Sequence, residues 1–228
     1  MLSMQSDRLI LFDFCETLID FQTADRYVDY CRRHMKTIRM SVVHSLLKAL
    51  EKVLFFKAIN RIRRNNNIHK RFVLWQMKGL KRTECERMAQ HFFEEELMPN
   101  IIPETIGLLR KHQEQKDQVW IISGGYDVYI EYFAKYYQIE RCICSHIQFD
   151  KSDVCTGKME GLDCMRLNKV RMLESALKEH PEITHVTVYS DSFSDLPLFL
   201  RANNAVVISK GKHQDWIDQY QLKEIIWS

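Results

Sequence analysis

Four short segments of this 228-residue chain carry the kinds of group that phosphoryl transfer requires. In Asp13-Phe14-Cys15-Glu16-Thr17 a carboxylate lies at the end of an apolar run and so projects where a strand finishes. An aspartate there can attack phosphorus and divide one hard displacement into two steps through an acyl-phosphate. In Ile121-Ile122-Ser123-Gly124-Gly125 an apolar run ends in a hydroxyl and two residues without side chains, a turn able to aim backbone N–H groups at phosphate oxygens. Lys169, early in Asn168-Lys169-Val170-Arg171, offers an ammonium to neutralise Asp13 and the transferring group. Ser190-Asp191-Ser192-Phe193-Ser194-Asp195 supplies two acids suited to oxygen-only coordination of a hard cation such as Mg²⁺.

Each segment has a plainer use when taken alone. Asp13 can cap a helix, Ser123 can make a turn, and Asp191 and Asp195 can cap the helix that follows them. Lys169 by itself carries no signal. What favours the chemical reading is their joint occurrence, each at the end of a strand or the start of a helix.

The elements that must position them alternate. Arg8–Phe14 is an almost uninterrupted apolar run, the pattern of a strand buried on both faces, and similar runs lie at 118–122, 185–189 and 205–209. Helical patterns fall between them at 103–114, 127–137, 167–178 and 195–201. Strands alternating with helices predict an α/β fold with a doubly wound parallel sheet, in which ligands bind at the carboxyl edge of the strands. The text of Asp150–Leu162 suggests a β-hairpin or flap.

The stretch from Asp20 to Met98 breaks the alternation with several helical patterns and no convincing strand, so we expect a core from residues 1–20 and 99–228 and an inserted helical cap at 21–98. Within it Val42, Val43, Leu46, Leu47, Leu50, Val53 and Leu54 share one helical face. That stripe suits packing against neighbouring helices, and a basic helix lying on a membrane is its other use, with Phe55 and Phe56 beyond it. Between Cys31 and Arg71 stand twelve Lys or Arg against the single acid Glu51, a net +11 in a chain of net +3, which leaves the remainder at −8. Such a cationic face attracts anionic partners, including acidic lipid surfaces. The run Arg61–Arg71 reads as a solvated turn and lacks the interleaved aromatics of a nucleic-acid site, so we expect no specific nucleic acid.

Composition excludes disorder and fibrous repeats: 46% hydrophobic and 28% charged residues with only 7 Gly and 4 Pro belong to a folded globular chain. The polar stretch Met1–Asp7 lacks the apolar run of an export signal, so we expect no export, and no uncharged apolar run approaches the roughly 18 residues of a membrane span. The seven cysteines are odd in number, lack a CxxC pair and lie mostly in apolar segments, so we expect reduced thiols in a cytoplasm.

Taken with these motifs, the chain resembles the haloacid dehalogenase superfamily, and within it the phosphoserine-phosphatase-like branch with a helical cap inserted after the first motif. The resemblance covers nearly the whole chain and extends to Lys78-Gly79-Leu80, the approach Pro99–Leu109 and Thr156-Gly157. It implies that Asp13 is the nucleophile, that Ser123 with Gly124 and Lys169 holds the phosphate, and that Asp191 and Asp195 form the acidic metal motif. Mg²⁺ is then bound by Asp13, Asp191 and the backbone carbonyl of Cys15.

Three positions depart from the family pattern. Cys15 replaces the Asp that protonates the leaving oxygen and then deprotonates water, a contribution of about 10² to 10⁴ in rate. A thiol is a weak donor and a poor base towards water, although the metal uses only the carbonyl of that residue. Glu16 and Ser190 each stand where the family has Gly; Glu16 either substitutes for the missing acid or faces solvent. We therefore expect a phosphomonoester hydrolase of atypical activity. The alternatives are a phosphonatase-like or other phosphoryl-transfer enzyme adapted to the missing acid, and a catalytically faint phosphate-binding protein.

Overall fold

The computed structural model describes residues 6–35, 45 and 66–228. Seven strands form one sheet: β1 (Arg8–Phe12), β2 (Gln118–Tyr126), β3 (Arg141–Phe149), β4 (Cys155–Glu160), β5 (His185–Ser190), β6 (Asn204–Lys210) and β7 (Lys223–Trp227). Their order is β4-β3-β2-β1-β5-β6-β7, parallel throughout except for the antiparallel β3–β4 pair. This is the expected doubly wound α/β architecture, and β1 lies where the winding reverses.

Alternation along β1 explains the layers. Leu9 and Leu11 point to one side and pack with Trp120, Ile122, Val188 and Val207 under the helices Leu167–Leu177 and Leu196–Phe199. Ile10 and Phe12 point to the other side, with Val119, Ile121 and Ile208, under the helices Pro103–Glu114 and Asp127–Tyr137. These four of the five β1 residues are at most 3% exposed, so slipping the strand by one position would exchange both buried sets and the register is firmly set.

Between residues 21 and 98 the described elements are helical: Thr23–Met35, Asn66–Trp75 and Arg82–Phe92, followed by a π turn at Phe93–Leu97 and a short 3₁₀ turn at Met98–Asn100. Their apolar faces do not form a separate core. Tyr27, Cys31, Leu74, Cys85 and Phe92 join the same hydrophobic cluster as Phe14, Tyr129 and Phe133. The Tyr27 and Phe92 rings lie 5.0 and 5.5 Å from the Tyr129 ring. The apolar stripe Val42–Leu54, with Phe55 and Phe56, lies outside the described residues, as does Arg61–Asn65. From Asn66 onward the basic run is helix rather than a solvated turn, and Lys70 within it is buried because three acceptors surround its ammonium.

The flap is a hairpin, though it begins earlier than the sequence suggests: β3 and β4 pair across a turn in which Asp150 Oδ1 accepts from the backbone N–H groups of Ser152 and Val154. Its Gly157 lies against the helix Asn66–Trp75, and a Cβ there would approach Lys78 Cβ to 2.9 Å and Trp75 Cα to 3.1 Å. No described helix is long and apolar enough to cross a membrane.

Candidate active site

Asp13 follows β1, Ser123 lies in β2 and Asp191 follows β5, so the three central strands deliver them to one carboxyl edge. The backbone N–H of Asp13 still donates to Tyr189 O at 2.8 Å, which fixes the carboxylate one residue past the end of β1.

Lys169 ties the centre together. Its Nζ lies 3.0 Å from Asp13 Oδ1 and 2.5 Å from Asp195 Oδ2. Burial opposes the charge on Lys169, but Asp13 and Asp195 outweigh it and raise the ammonium's pKa. Asp195 Oδ2 also accepts from Ser190 Oγ at 2.6 Å, so this hydroxyl helps hold the carboxylate that pairs with Lys169. On the other side Thr17 Oγ1 donates to Asp191 Oδ1 at 3.5 Å, while Thr105 Oγ1 donates to Thr17 O at 2.6 Å and anchors the loop.

The centre is short of positive charge. Three buried or half-buried carboxyls, Asp13, Asp191 and Asp195, share one ammonium. Burial raises the pKa of Asp13 despite Lys169, and burial together with the charges of Asp13 and Glu16 pushes Asp191 up to about 8. Although Lys169 Nζ is at ion-pair distance, Asp13 Oδ1 receives no well-directed hydrogen bond and is an orphaned buried acceptor. Among the described residues no three His, Cys, Asp or Glu side chains converge as a cation cage. An orphaned carboxylate oxygen beside a second acid fits Mg²⁺, which takes one or two carboxylates and keeps much of its water. Asp195 offers less, since its Oδ2 is engaged by Lys169 and Ser190.

The Ser123-Gly124-Gly125 segment is a bulge within β2. Ser123 pairs with Cys144 and Tyr126 with Ser145, leaving Gly124 and Gly125 unopposed. Ser123 is buried, and its Oγ accepts the Gly125 N–H at 3.2 Å. No described residue accepts the Ser123 hydroxyl proton, which leaves it free to donate. A Cβ on Gly124 would lie 2.9 Å from Met165 Cγ, so only glycine lets the segment leading to Lys169 approach so closely.

Cys15 is buried, and its thiol is engaged by Thr23. Its Sγ lies 3.1 Å from Thr23 Oγ1, which lies 2.8 Å from Tyr129 OH. Burial and the neighbouring Asp13 push the thiol up to about 12. Glu16 adopts φ 54° in the left-handed region, and its carboxylate accepts from Gln22 Nε2 at 2.5 Å on the exposed side.

Sequence reasoning assigned no role to Thr17, Thr23, Tyr129 or Lys70. The Thr17 hydroxyl stands in the first motif and was open to notice; the Thr23–Tyr129 contact spans 106 residues and leaves no local trace.

A haloacid dehalogenase-like hydrolase family model matches residues 10–200. No curated protein matches the chain. Among solved structures, a protein of unknown function from Bordetella pertussis Tohama I superposes with TM-score 0.78 at 16% identity, covering 96% of this chain and 98% of its own. A phosphoserine phosphohydrolase-like protein from Francisella tularensis gives 0.65 at 13% identity over 96% and 94%. A phosphoserine phosphatase carrying a phospho-aspartyl intermediate analogue gives 0.60 at 18% identity over 97% and 93%.

Proposed function

The chain belongs to the haloacid dehalogenase-like hydrolase family, and from that premise we propose that it is a Mg²⁺-dependent phosphomonoester hydrolase working through Asp13. The observation that carries this reading is Lys169 Nζ held between Asp13 and Asp195 at the carboxyl end of β1. A carboxylate kept against an ammonium, with the Ser123 hydroxyl on the neighbouring paired strand holding a proton to donate, supports a phosphate-binding role.

In the proposed reaction an Asp13 carboxylate oxygen attacks phosphorus, the bond to the ester oxygen breaks, and its electron pair leaves with the alcohol oxygen. Ser123 Oγ–H donates to a phosphate oxygen, and Lys169 offsets the charge that gathers there. Water then attacks the acyl-phosphate, returning the Asp13 carboxylate and releasing inorganic phosphate. Mg²⁺, held by Asp13, Asp191 and the Cys15 carbonyl, with Asp195 behind them, would supply charge neutralisation when bound. The helices of residues 21–98 act as the cap that selects the small phosphorylated substrate. A cytoplasmic setting is supported by seven cysteines that are all unpaired thiols.

The missing acid shapes the activity. Buried and with its pKa pushed up to about 12, the Cys15 thiol stays protonated, so it can neither take a proton from water nor readily give one to the leaving oxygen, and both proton transfers go unassisted by that position. This same feature supports a second reading, a phosphate-binding protein with faint turnover. The phosphonatase-like alternative needs a cap lysine with a free lone pair. Lys70 gives its three N–H groups to Gly124 O, Ser145 Oγ and Asp163 Oδ1, so Lys70 is not that lysine.

To test the reading, the purified chain is assayed with Mg²⁺ on a panel of phosphate monoesters. Metal-dependent release of phosphate supports it. Tight binding of inorganic phosphate without turnover on any ester favours the second reading.

A further inference from the structure

A lysine is rarely taken out of water unless its protons all find acceptors. Lys70 is 6% exposed, in the helix Asn66–Trp75 that the sequence inserts between the first motif and the second. Its Nζ donates to Gly124 O at 2.5 Å, to Ser145 Oγ at 2.9 Å and to Asp163 Oδ1. The acceptors are themselves tied: Ser145 Oγ donates to Asp163 Oδ1 at 2.8 Å and accepts the Cys164 N–H at 3.0 Å.

The contact with Gly124 bears on the anion cradle. The Gly124 carbonyl and the Gly125 N–H belong to one planar trans peptide unit, so they point in opposite directions. Lys70 grips the oxygen of that unit, and Ser123 Oγ accepts its hydrogen. Glycine on both sides gives the unit little stiffness of its own. Side chains cannot supply it, because a Cβ on Gly124 would meet Met165 Cγ at 2.9 Å and one on Gly125 would meet Tyr129 OH at 2.6 Å. The restraint therefore has to come from outside the loop.

We propose that Lys70 is a positioning residue of the phosphate site: from the inserted helices it fixes the Gly124–Gly125 peptide and, through it, the Ser123 hydroxyl. Asp163, gripped by the same ammonium, accepts through its backbone carbonyl from Asn168 Nδ2 at 3.0 Å, one residue before Lys169. Both phosphate-facing groups, Ser123 and Lys169, are thus tied to one ammonium from the insert. This role deepens the phosphatase reading and rests on it.

The test measures inorganic phosphate affinity by calorimetry in the presence of Mg²⁺, with a thermal melt of every variant. Lys70→Met combined with Asp163→Asn removes both charges together, so no unpaired ion is buried; it should weaken phosphate binding by about tenfold or more. Lys70→Arg keeps the charge but displaces the donor and should give an intermediate loss in a protein that melts near the wild type. Ser145→Ala leaves the Gly124 contact intact and should stay within about twofold of wild type. Unchanged affinity in Lys70→Arg, which stands even if the double variant does not fold, would show Lys70 to be only a staple and overturn the inference. An equal loss in Ser145→Ala would also overturn it. A wild type that neither binds phosphate nor hydrolyses an aryl phosphate would instead sink the phosphatase reading, and this inference with it.

Discussion

Cys15 Sγ and Thr23 Oγ1 lie 3.1 Å apart, and the thiol also accepts the Thr23 backbone N–H at 3.5 Å. The Cys15 side chain is therefore part of the packing between the first loop and the helix Thr23–Met35. Cys15→Asp should raise kcat on alkyl phosphates, whose leaving oxygen needs a proton, by about 10² or more. Steady-state kinetics checks this; no change would mean that another group already serves as acid.

A leaving group that is stable as an anion avoids the first proton transfer but not the second. With an activated aryl phosphate, acyl-phosphate formation should outrun its hydrolysis, because the Cys15 thiol, pushed up to about 12, offers no base to water. Stopped-flow absorbance should show a burst of about one phenolate per chain before a slower steady rate. Linear release from the first turnover would contradict this order of steps.

The charge imbalance makes the metal-free protein sensitive to pH. Asp191 has its pKa raised from 3.8 to about 8, so the folded state binds more protons than the unfolded state between those values. Its contribution to stability is complete below about pH 4 and is lost as pH rises through about 8. Asp13 shifts in the same direction. The melting temperature without metal should therefore fall from pH 5 to pH 8, and Asp191→Asn should flatten that fall. Added Mg²⁺ should raise the wild-type melt most at the alkaline end. A wild-type profile parallel to that of Asp191→Asn would rule the account out.

Glu16 holds a left-handed backbone that costs a non-glycine residue about 1–2 kcal/mol, and its charge helps raise the pKa of Asp191. Glu16→Gly should gain about 1 kcal/mol in chemical denaturation and move Asp191 back towards ordinary carboxylates in an NMR titration. A net loss of stability would show that the contact with Gln22 outweighs the strain.

Much of this was legible because burial on two faces writes itself into a strand. β1 and β5 announce themselves as apolar runs, and the helices Pro103–Glu114 and Asp127–Tyr137 occupy the residues their periodicity predicts. β7 did not, since Lys223–Trp227 is a short edge strand with charge at its start. β3 is visible only through Cys142 and Cys144, because Arg141, Ser145, His146 and Gln148 interrupt its apolar pattern. β2 runs on to Tyr126 although its two glycines look like its end; the bulge keeps them in the strand. Asp13, Lys169 and Asp195 were named from the sequence and meet in space. Lys70 was hidden among cations, because its burial depends on Ser145 and Asp163, 75 and 93 residues away.

The most direct test compares wild type with Asp13→Asn for Mg²⁺-dependent release of phosphate from an activated aryl phosphate, after both are shown to be folded. The account predicts a loss of roughly 10³-fold or more in the variant. Equal turnover by the two proteins would contradict it.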